Sequence, residues 1–375
     1  KKILNIAVFF LSLQQFRLHG MKGTWENKII CFCIFFFGSG FSLLAQDYNF
    51  SQFWENRTYY NPAYVGLHEG ELNSLLTYRK LWPKFDGNFS TVFFSADLKT
   101  YNNYGFGLTF ISGDEGGGFI KSTSAGLSYS WRGYFNKEKN IFFQLGIRGS
   151  YNHEKLNFNK YIFSGQLHEI YGNIFPQPDL QGIEKKQNYW DFSTGALVCI
   201  PWQRHYQEFM TNYIGFSVSH FTRPKDNFIE DDYKLPIKVS FQWNGFLRTS
   251  LRSLDKKSYL YLCPGLIFEN QGDKLLSSSS FNNFVVGSDL TTDPLFAGIW
   301  YSSQLLNNSD ENYKALIFKF GVKLNSEKKN FQYRLAYTYD MSLGNLTKNT
   351  EGSHEISINV VYRFNAKYRY NIYSF

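Results

Sequence analysis

Residues 313–341 read YKALIFKFGVKLNSEKKNFQYRLAYTYDM. Leu316, Phe318, Phe320, Val322 and Leu324 alternate with Ala315, Ile317, Lys319, Gly321 and Lys323. After a charged turn the pattern resumes, with Phe331, Tyr333, Leu335, Tyr337, Tyr339 and Met341 set against Gln332, Arg334, Ala336, Thr338 and Asp340. Successive side chains of a strand point to opposite faces, so a period of two makes one face apolar and the other polar. These are two strands of a hairpin.

The same alternation recurs along the chain. Ile356, Ile358, Val360, Tyr362 and Phe364 form one such row, Ile141, Phe143, Leu145 and Ile147 another, and Ala125, Leu127, Tyr129 and Trp131 a third. Strand segments read at 72–80, 89–98, 104–112, 122–135, 140–155, 189–200, 212–221, 235–248, 258–269, 274–287, 294–304, 313–324, 330–341 and 353–364. Helical periodicity is nearly absent. A soluble sandwich or propeller would bury the apolar faces, whereas a membrane barrel turns them to lipid. Three features favour the barrel. The apolar rows are rich in Phe, Tyr and Trp, and aromatic residues make up 20% of the chain. The opposite rows are polar and repeatedly Gly or Ser. An N-terminal leader would carry the chain past the inner membrane. The fold class is therefore all-β, a transmembrane antiparallel barrel of about fourteen strands, the even count usual for single-chain barrels.

Met21 opens that leader. Lys22 and Lys28 precede an apolar run from Ile29 to Phe37, small residues follow, and cleavage beside Ala45 leaves a chain starting at Gln46 or Asp47. This is the pattern of a secretory signal peptide; the competing reading, a membrane helix from Ile29 to Ala45, is short for a span and interrupted by Gly and Ser. The expected organisation is an upstream extension and leader at 1–45, an N-terminal segment at 46–71, a barrel at 72–364 and a tail at 365–375. Phe364 or Phe375 is the terminal aromatic of the barrel, with strand spacing favouring Phe364.

Residues 46–71 hold Tyr48, Phe50, Phe53, Trp54, Tyr59, Tyr60 and Tyr64 beside Gln52, Asn56 and Asn61. Such a mixture is too aromatic for a disordered tail. It suits a polar barrel interior, where amides satisfy wall groups and rings fill volume. We expect it to fold into or near the periplasmic mouth as a plug. If the first strand runs outward, the long connection at 156–188 and the acidic one at 222–234 face outside. The 201–211 link is then an unusually long periplasmic connection.

Other chemistry is sparse. The whole-chain formal charge of +8 drops to a small surplus without the leader, and no Lys/Arg block suggests nucleic acid. The glycines of GDEGGG (113–118) lack the Lys and helix of a phosphate cradle. His354 and Glu355 fall on opposite faces of one strand, so they do not act together. No nucleophile sits with a base, no histidine spacing suggests a metal, and no cofactor is expected. Arg334, Asp340, Glu355 and Arg363 are expected to form a charge network in the lumen. Arg223, Lys225, Glu230, Asp231 and Asp232 are candidate partner contacts on an outer loop. Cys199 and Cys263 read as small apolar fillers rather than a disulfide.

The motifs resemble one family closely. FSQFWENRTYYNPAYVG (50–66) is similar to the N-terminal signature of PorP/SprF outer-membrane proteins, with Phe50, Ser51, Gln52, Asn61, Pro62, Ala63, Tyr64 and Gly66 in the signature positions. YRKLWP (78–83), GFGLTFISGDEGGG (105–118), GFSVSHFTRP (215–224), AYTYDMSLGNL (336–346) and GSHEISI (352–358) resemble further family motifs in order, Leu81 standing where Gln is usual. The resemblance implies a non-enzymatic component of type IX secretion and gliding motility. It implies that the chain anchors or helps export a surface adhesin through the adhesin's C-terminal sorting domain. The implied partners are the translocation channel, a periplasmic ring or lipoprotein, the adhesin and the bilayer. The rival readings are a passive channel for hydrophobic solutes, an outer-membrane hydrolase and a soluble periplasmic β-protein.

Overall fold

A computed structural model describes residues 47–364, apart from 85–86, 88, 101, 138–139, 158–166, 169–171, 174–183, 205–206, 226–233, 253–258, 273–280, 307–312, 327–329 and 344–350. The leader at 1–45 and the tail at 365–375 lie outside the described residues.

The strands are β1 (Leu72–Leu81), β2 (Phe89–Lys99), β3 (Tyr104–Glu115), β4 (Ile120–Tyr134), β5 (Phe142–Asn157), β6 (Leu167–His168), β7 (Gly172–Asn173), β8 (Glu184–Arg204), β9 (Gln207–Ser219), β10 (Lys238–Arg252), β11 (Tyr259–Gln271), β12 (Phe281–Thr291), β13 (Leu295–Leu306), β14 (Tyr313–Ser326), β15 (Phe331–Leu343) and β16 (Ser353–Tyr362). The two-residue strands β6 and β7 pair only with each other. The other fourteen close into one barrel, each following its sequence neighbour, with β1 pairing β16 from Leu72 opposite Tyr362 to Leu81 opposite Ser353. Closure leaves no sheet edge to meet lipid, which is what lets a chain cross a membrane on strands. No helix among the described residues is long and apolar enough to cross one.

The faces run opposite to those of a soluble protein. Leu76, Tyr78, Phe106, Leu108, Leu127, Trp131, Ile147, Leu335, Ile356 and Ile358 are exposed on the outer surface. Their strand neighbours Thr77, Arg79, Thr109, Ser128, Ser130, Arg132, Gln144, Arg334, Glu355 and Ser357 are buried inside. Trp190 and Trp202 stand exposed toward the two ends of β8, 12 residues apart. At about 3.3 Å per residue and a strand tilt near 45°, they bracket a band of about 25–30 Å, the height of a hydrocarbon core.

An arginine in the middle of that band meets lipid, so Leu127→Arg is expected to destabilise the barrel by about 2–4 kcal/mol. Equilibrium unfolding from phospholipid vesicles measures this.

Two expectations on strand limits are corrected. The 201–211 stretch is not a long connection. Pro201 opposes Thr211 and Trp202 opposes Met210, so β8 continues to Arg204 and β9 begins at Gln207. Pro201 shares the inward row of Leu197 and Cys199, and a bulge beside it, between Trp202 and Gln203, shifts the ladder without ending it. The tenth strand of the barrel, β12, starts at Phe281 and runs to Thr291, later than the 274–287 read from apolar content.

An even strand number brings the start of β1 and the end of β16 to the same rim, here called proximal. The ends of β1 and β3, and the starts of β2 and β4, belong to the opposite, distal rim.

Candidate functional site: the lumen and its N-terminal occupant

The chain from Tyr48 to Glu71 runs through the lumen from the distal level to the proximal rim. Tyr48 packs on Gly113, near the distal end of β3. Glu71 donates its N–H to the Tyr362 carbonyl at the proximal rim, 3.0 Å away. The segment contains one helical turn (Arg57–Tyr60) and a 3-10 turn (Pro62–Tyr64). The sequence reading expected the segment in or near the periplasmic mouth; here it lies inside the lumen along most of the barrel's height.

Three seats hold it. The first gathers Arg79, Asp340 and Glu355. Strand register sets Arg79 opposite Glu355, and the Arg79 guanidinium donates to Glu355 at 2.9 Å and to Asp340 at 2.8 Å. Ser51 donates its N–H to one Glu355 oxygen at 2.6 Å and its hydroxyl to Asp340 at 2.5 Å. The other Glu355 oxygen accepts from the Gln52 N–H at 3.2 Å and from Asn56 Nδ2 at 3.1 Å. The Gln52 amide bridges the Glu355 carbonyl, at 3.0 Å, and the Ser357 hydroxyl. Thr77 donates to Asn56 Oδ1 at 2.8 Å. Glu355 and Ser51 are nearly solvent-free. A buried carboxylate is tolerated only when its charge is paired and its lone pairs are filled, and this one meets both conditions.

The second seat centres on Glu55. Lys319 donates to it at 2.9 Å, Arg334 lies 3.3 Å away, and Lys319 also reaches Asp289 at 2.7 Å. Burial alone disfavours the Glu55 carboxylate, and the paired positive charges of Lys319 and Arg334 compensate for it. Next to it Phe53 stands edge-on to Trp300 with ring centroids 4.7 Å apart.

The third seat is the Asn-Pro-Ala turn. Asn61 Oδ1 caps it by accepting from the Ala63 N–H at 2.8 Å, and Pro62 begins the turn, where an N–H has no helical partner to lose. Asn61 Nδ2 lies within 3.0 Å of Gln242 Oε1, and within 3.2 and 3.3 Å of the Ala196 and Phe216 carbonyls. Gly146 and Gly195 face this turn. A methyl on Gly146 would overlap the main chain of Pro62 and Ala63, and one on Gly195 would overlap Asn61 Oδ1. Glycine is what lets two backbones approach this closely.

Beyond the seats, the wall grips the main chain itself. Ser217 donates to the Tyr60 carbonyl at 2.7 Å, Arg148 to the carbonyls of Tyr59 (3.0 Å) and Thr58, and Ser130 and Gln144 to that of Val65 at 2.7 and 2.6 Å. Gly66, at φ +73°, turns the chain out of the lumen and donates its N–H to Asp97 at 2.7 Å.

The residues singled out in the sequence distribute as follows. Phe50, Ser51, Gln52, Asn61, Pro62, Ala63, Tyr64 and Gly66 are all buried in the lumen. The four residues expected in one charge network do not form one. Asp340 and Glu355 meet around Arg79. Arg334, six residues along the same strand face, joins Glu55 and Lys319 instead. Arg363 lies at the proximal rim, 2.8 Å from Glu69. His354 turns outward, with Tyr337 OH 2.8 Å from its Nδ1, while Glu355 turns inward. Arg223 has φ 47° and donates its N–H to the His220 carbonyl at 2.9 Å, and the main chain of Lys225 pairs antiparallel with that of Lys234. Glu230, Asp231 and Asp232 lie outside the described residues. Cys199 and Cys263 are buried thiols with no disulfide between them.

Arg79, Glu55, Asn56 and Lys319 were not among the sequence candidates. Parity puts Arg79 and Lys319 on the polar rows of β1 and β14. Nothing in the local sequence distinguishes them from other lumen residues until register is known.

A family model described as the type IX secretion system membrane protein PorP/SprF matches residues 42–360. None of the curated proteins matches the sequence. Among solved structures, a FadL homologue of Pseudomonas aeruginosa has 11% identity, covering 87% of this chain and 96% of its own, with a TM-score of 0.45. The CymD monoaromatic hydrocarbon channel gives 9% identity, the same two coverages and a TM-score of 0.45. The translocator domain of the autotransporter NalP from Neisseria meningitidis gives 12%, with 82% and 94% covered and a TM-score of 0.34. With a match that spans the lumen segment and nearly all of the barrel, this integral outer-membrane protein belongs to the PorP/SprF family of type IX secretion system membrane proteins.

Proposed function

We propose that the chain is a non-enzymatic component of type IX secretion that anchors, or helps export, a cell-surface protein such as an adhesin through that protein's C-terminal sorting domain. The proximal rim faces the periplasm, where a ring or lipoprotein component and the translocation channel meet it; the distal rim and its loops meet the passenger. Residues 46–71 act as the plug.

The observation that carries this reading over a passive solute channel is the occupied lumen. Wall groups from strands all round the barrel are spent on Tyr48–Gly66, by way of the Arg79, Glu55 and Asn61 seats. A barrel so filled serves better as a docking body than as a conduit. Among the described residues, Arg79, Asp340 and Glu355, and likewise Glu55, Lys319 and Asp289, are spent on one another and on the segment, which favours the non-enzymatic reading over a hydrolase.

Gentle detergent extraction of native outer membrane, capture of this chain and mass spectrometry test the proposal. Recovery of a protein with a type IX sorting domain, or of the secretion channel, is expected. Capture of neither from well-solubilised membranes, together with steady single-channel current from the purified barrel, would favour the channel.

A further inference from the structure

We infer that the N-terminal end of the lumen segment opens toward the distal side, so that any leader must be removed before the segment seats and the new N-terminus is reachable from outside the cell. The outward sense of the distal rim rests on the proposed function; the direction of the segment does not.

Direction follows from the contacts. Tyr48 lies against Gly113, and Ser51 bonds Asp340 and Glu355 at the level of Arg79, two residues from the distal end of β1. Asn61 lies at mid-barrel, Val65 against Gly105 and Gly107 toward the proximal end of β3, and Glu71 at the proximal rim. The chain therefore descends from distal to proximal before β1 climbs back. Asp47, Tyr48 and Asn49 are partly exposed, whereas Phe50–Trp54 are buried. The segment surfaces at its N-terminal end.

A leader held in the inner membrane would approach from the proximal side. With the segment seated, the chain joining that leader to Tyr48 would have to rise through the lumen alongside it. Adjacent extended chains need about 4.7–4.9 Å even when hydrogen-bonded. The wall at Gly146 and Gly195 has no room for one methyl group beside the segment. The segment also reaches across the lumen, with Ser51 on Glu355 of β16 and Trp54 against Gly265 of β11, so a second pass would displace these seats and seating requires a free N-terminus. Hydrolysis of a peptide bond beside Ala45 supplies it. One water is consumed, a carboxylate stays on the leader, and an α-ammonium begins the mature chain.

Asp47→Cys, with Lys84→Cys on the distal β1–β2 turn and Asn102→Cys on the proximal β2–β3 turn as controls, tests this with a membrane-impermeant maleimide on intact cells. Labelling at 47 as complete as at 84, with 102 labelled only after permeabilisation, is expected. Loss of labelling at 47 while 84 still reacts overturns the inference. If 102 reacts in intact cells and 84 does not, the outward assignment fails instead, and whether 47 follows 84 still decides the direction. A second arm retains the leader through Ala45→Arg, verified by intact mass. The chain is expected to lose protease protection of residues 48–66. Full protection in a leader-bearing chain overturns the order of events.

Discussion

Glu355→Leu is expected to free the N-terminal segment from the lumen, at a cost of about 3–5 kcal/mol, because it removes one half of a buried ion pair. The carboxylate accepts from Arg79, from the N–H groups of Ser51 and Gln52, and from Asn56. Leucine fills the volume but leaves Ser51, Gln52 and Asn56 without this acceptor, and Arg79 with Asp340 as its one carboxylate, in a site closed to solvent; the asymmetry of hydrogen bonding makes that the expensive outcome. Glu355→Gln keeps an acceptor oxygen and is expected to fall between the two. Adding Arg79→Met to Glu355→Leu leaves the buried Asp340 carboxylate without its cation, so the double variant is expected to lose more than Glu355→Leu alone. Chymotrypsin is the direct measure, since Tyr48–Tyr64 supplies many aromatic cleavage sites that are protected while seated. The expectation fails if Glu355→Leu leaves those sites as resistant as in the parent chain.

Gly146→Val is expected to unseat the same segment by a different route. The new side chain meets the main chain of Pro62 and Ala63, which cannot rotate away as a side chain would. Overpacking of this kind costs about 1–3 kcal/mol where neighbours adjust, and here the neighbour is a capped turn with its own bonds to Gln242 and two wall carbonyls. Valine favours strands, so the wall itself is expected to stay intact. The sharpest readout is therefore planar-bilayer current: none or little from the parent chain, a sustained current from the variant. Gly149→Val, three residues on and facing outward, meets only the Phe192 ring at 3.3 Å and is expected to change neither current nor stability appreciably.

The barrel was legible because one face of each strand must match lipid, and that requirement writes a period of two into the sequence regardless of partner strands. Phe318 and Tyr337 could be assigned to the outer face from their own segments alone. The seats could not, because they depend on register between distant strands. Arg79 meets Glu355 only through closure of β1 on β16, and Lys319 meets Glu55 only once the segment is inside. Grouping Arg334 with Asp340 followed correctly from their shared face, but six residues along a strand is about 20 Å, too far for one network. The glycines of the polar rows carried a readable hint of a crowded interior. What they accommodate, a turn made of Asn61, Pro62 and Ala63, is a property of the assembled molecule.

The first seat straddles the seam of the barrel. Ser51, Gln52 and Asn56 clasp β1, β15 and β16 at once, through hydrogen bonds joining residues as much as 305 positions apart. Such a clasp can fasten only when the last strand has arrived, and its fastening draws the first and last strands together. Zipping the cylinder shut and corking it thus become a single cooperative event. On the proposed plug role, an incomplete sheet encloses nothing and the cylinder would be stoppered as it closes, so assembly is expected to proceed without a leaking stage.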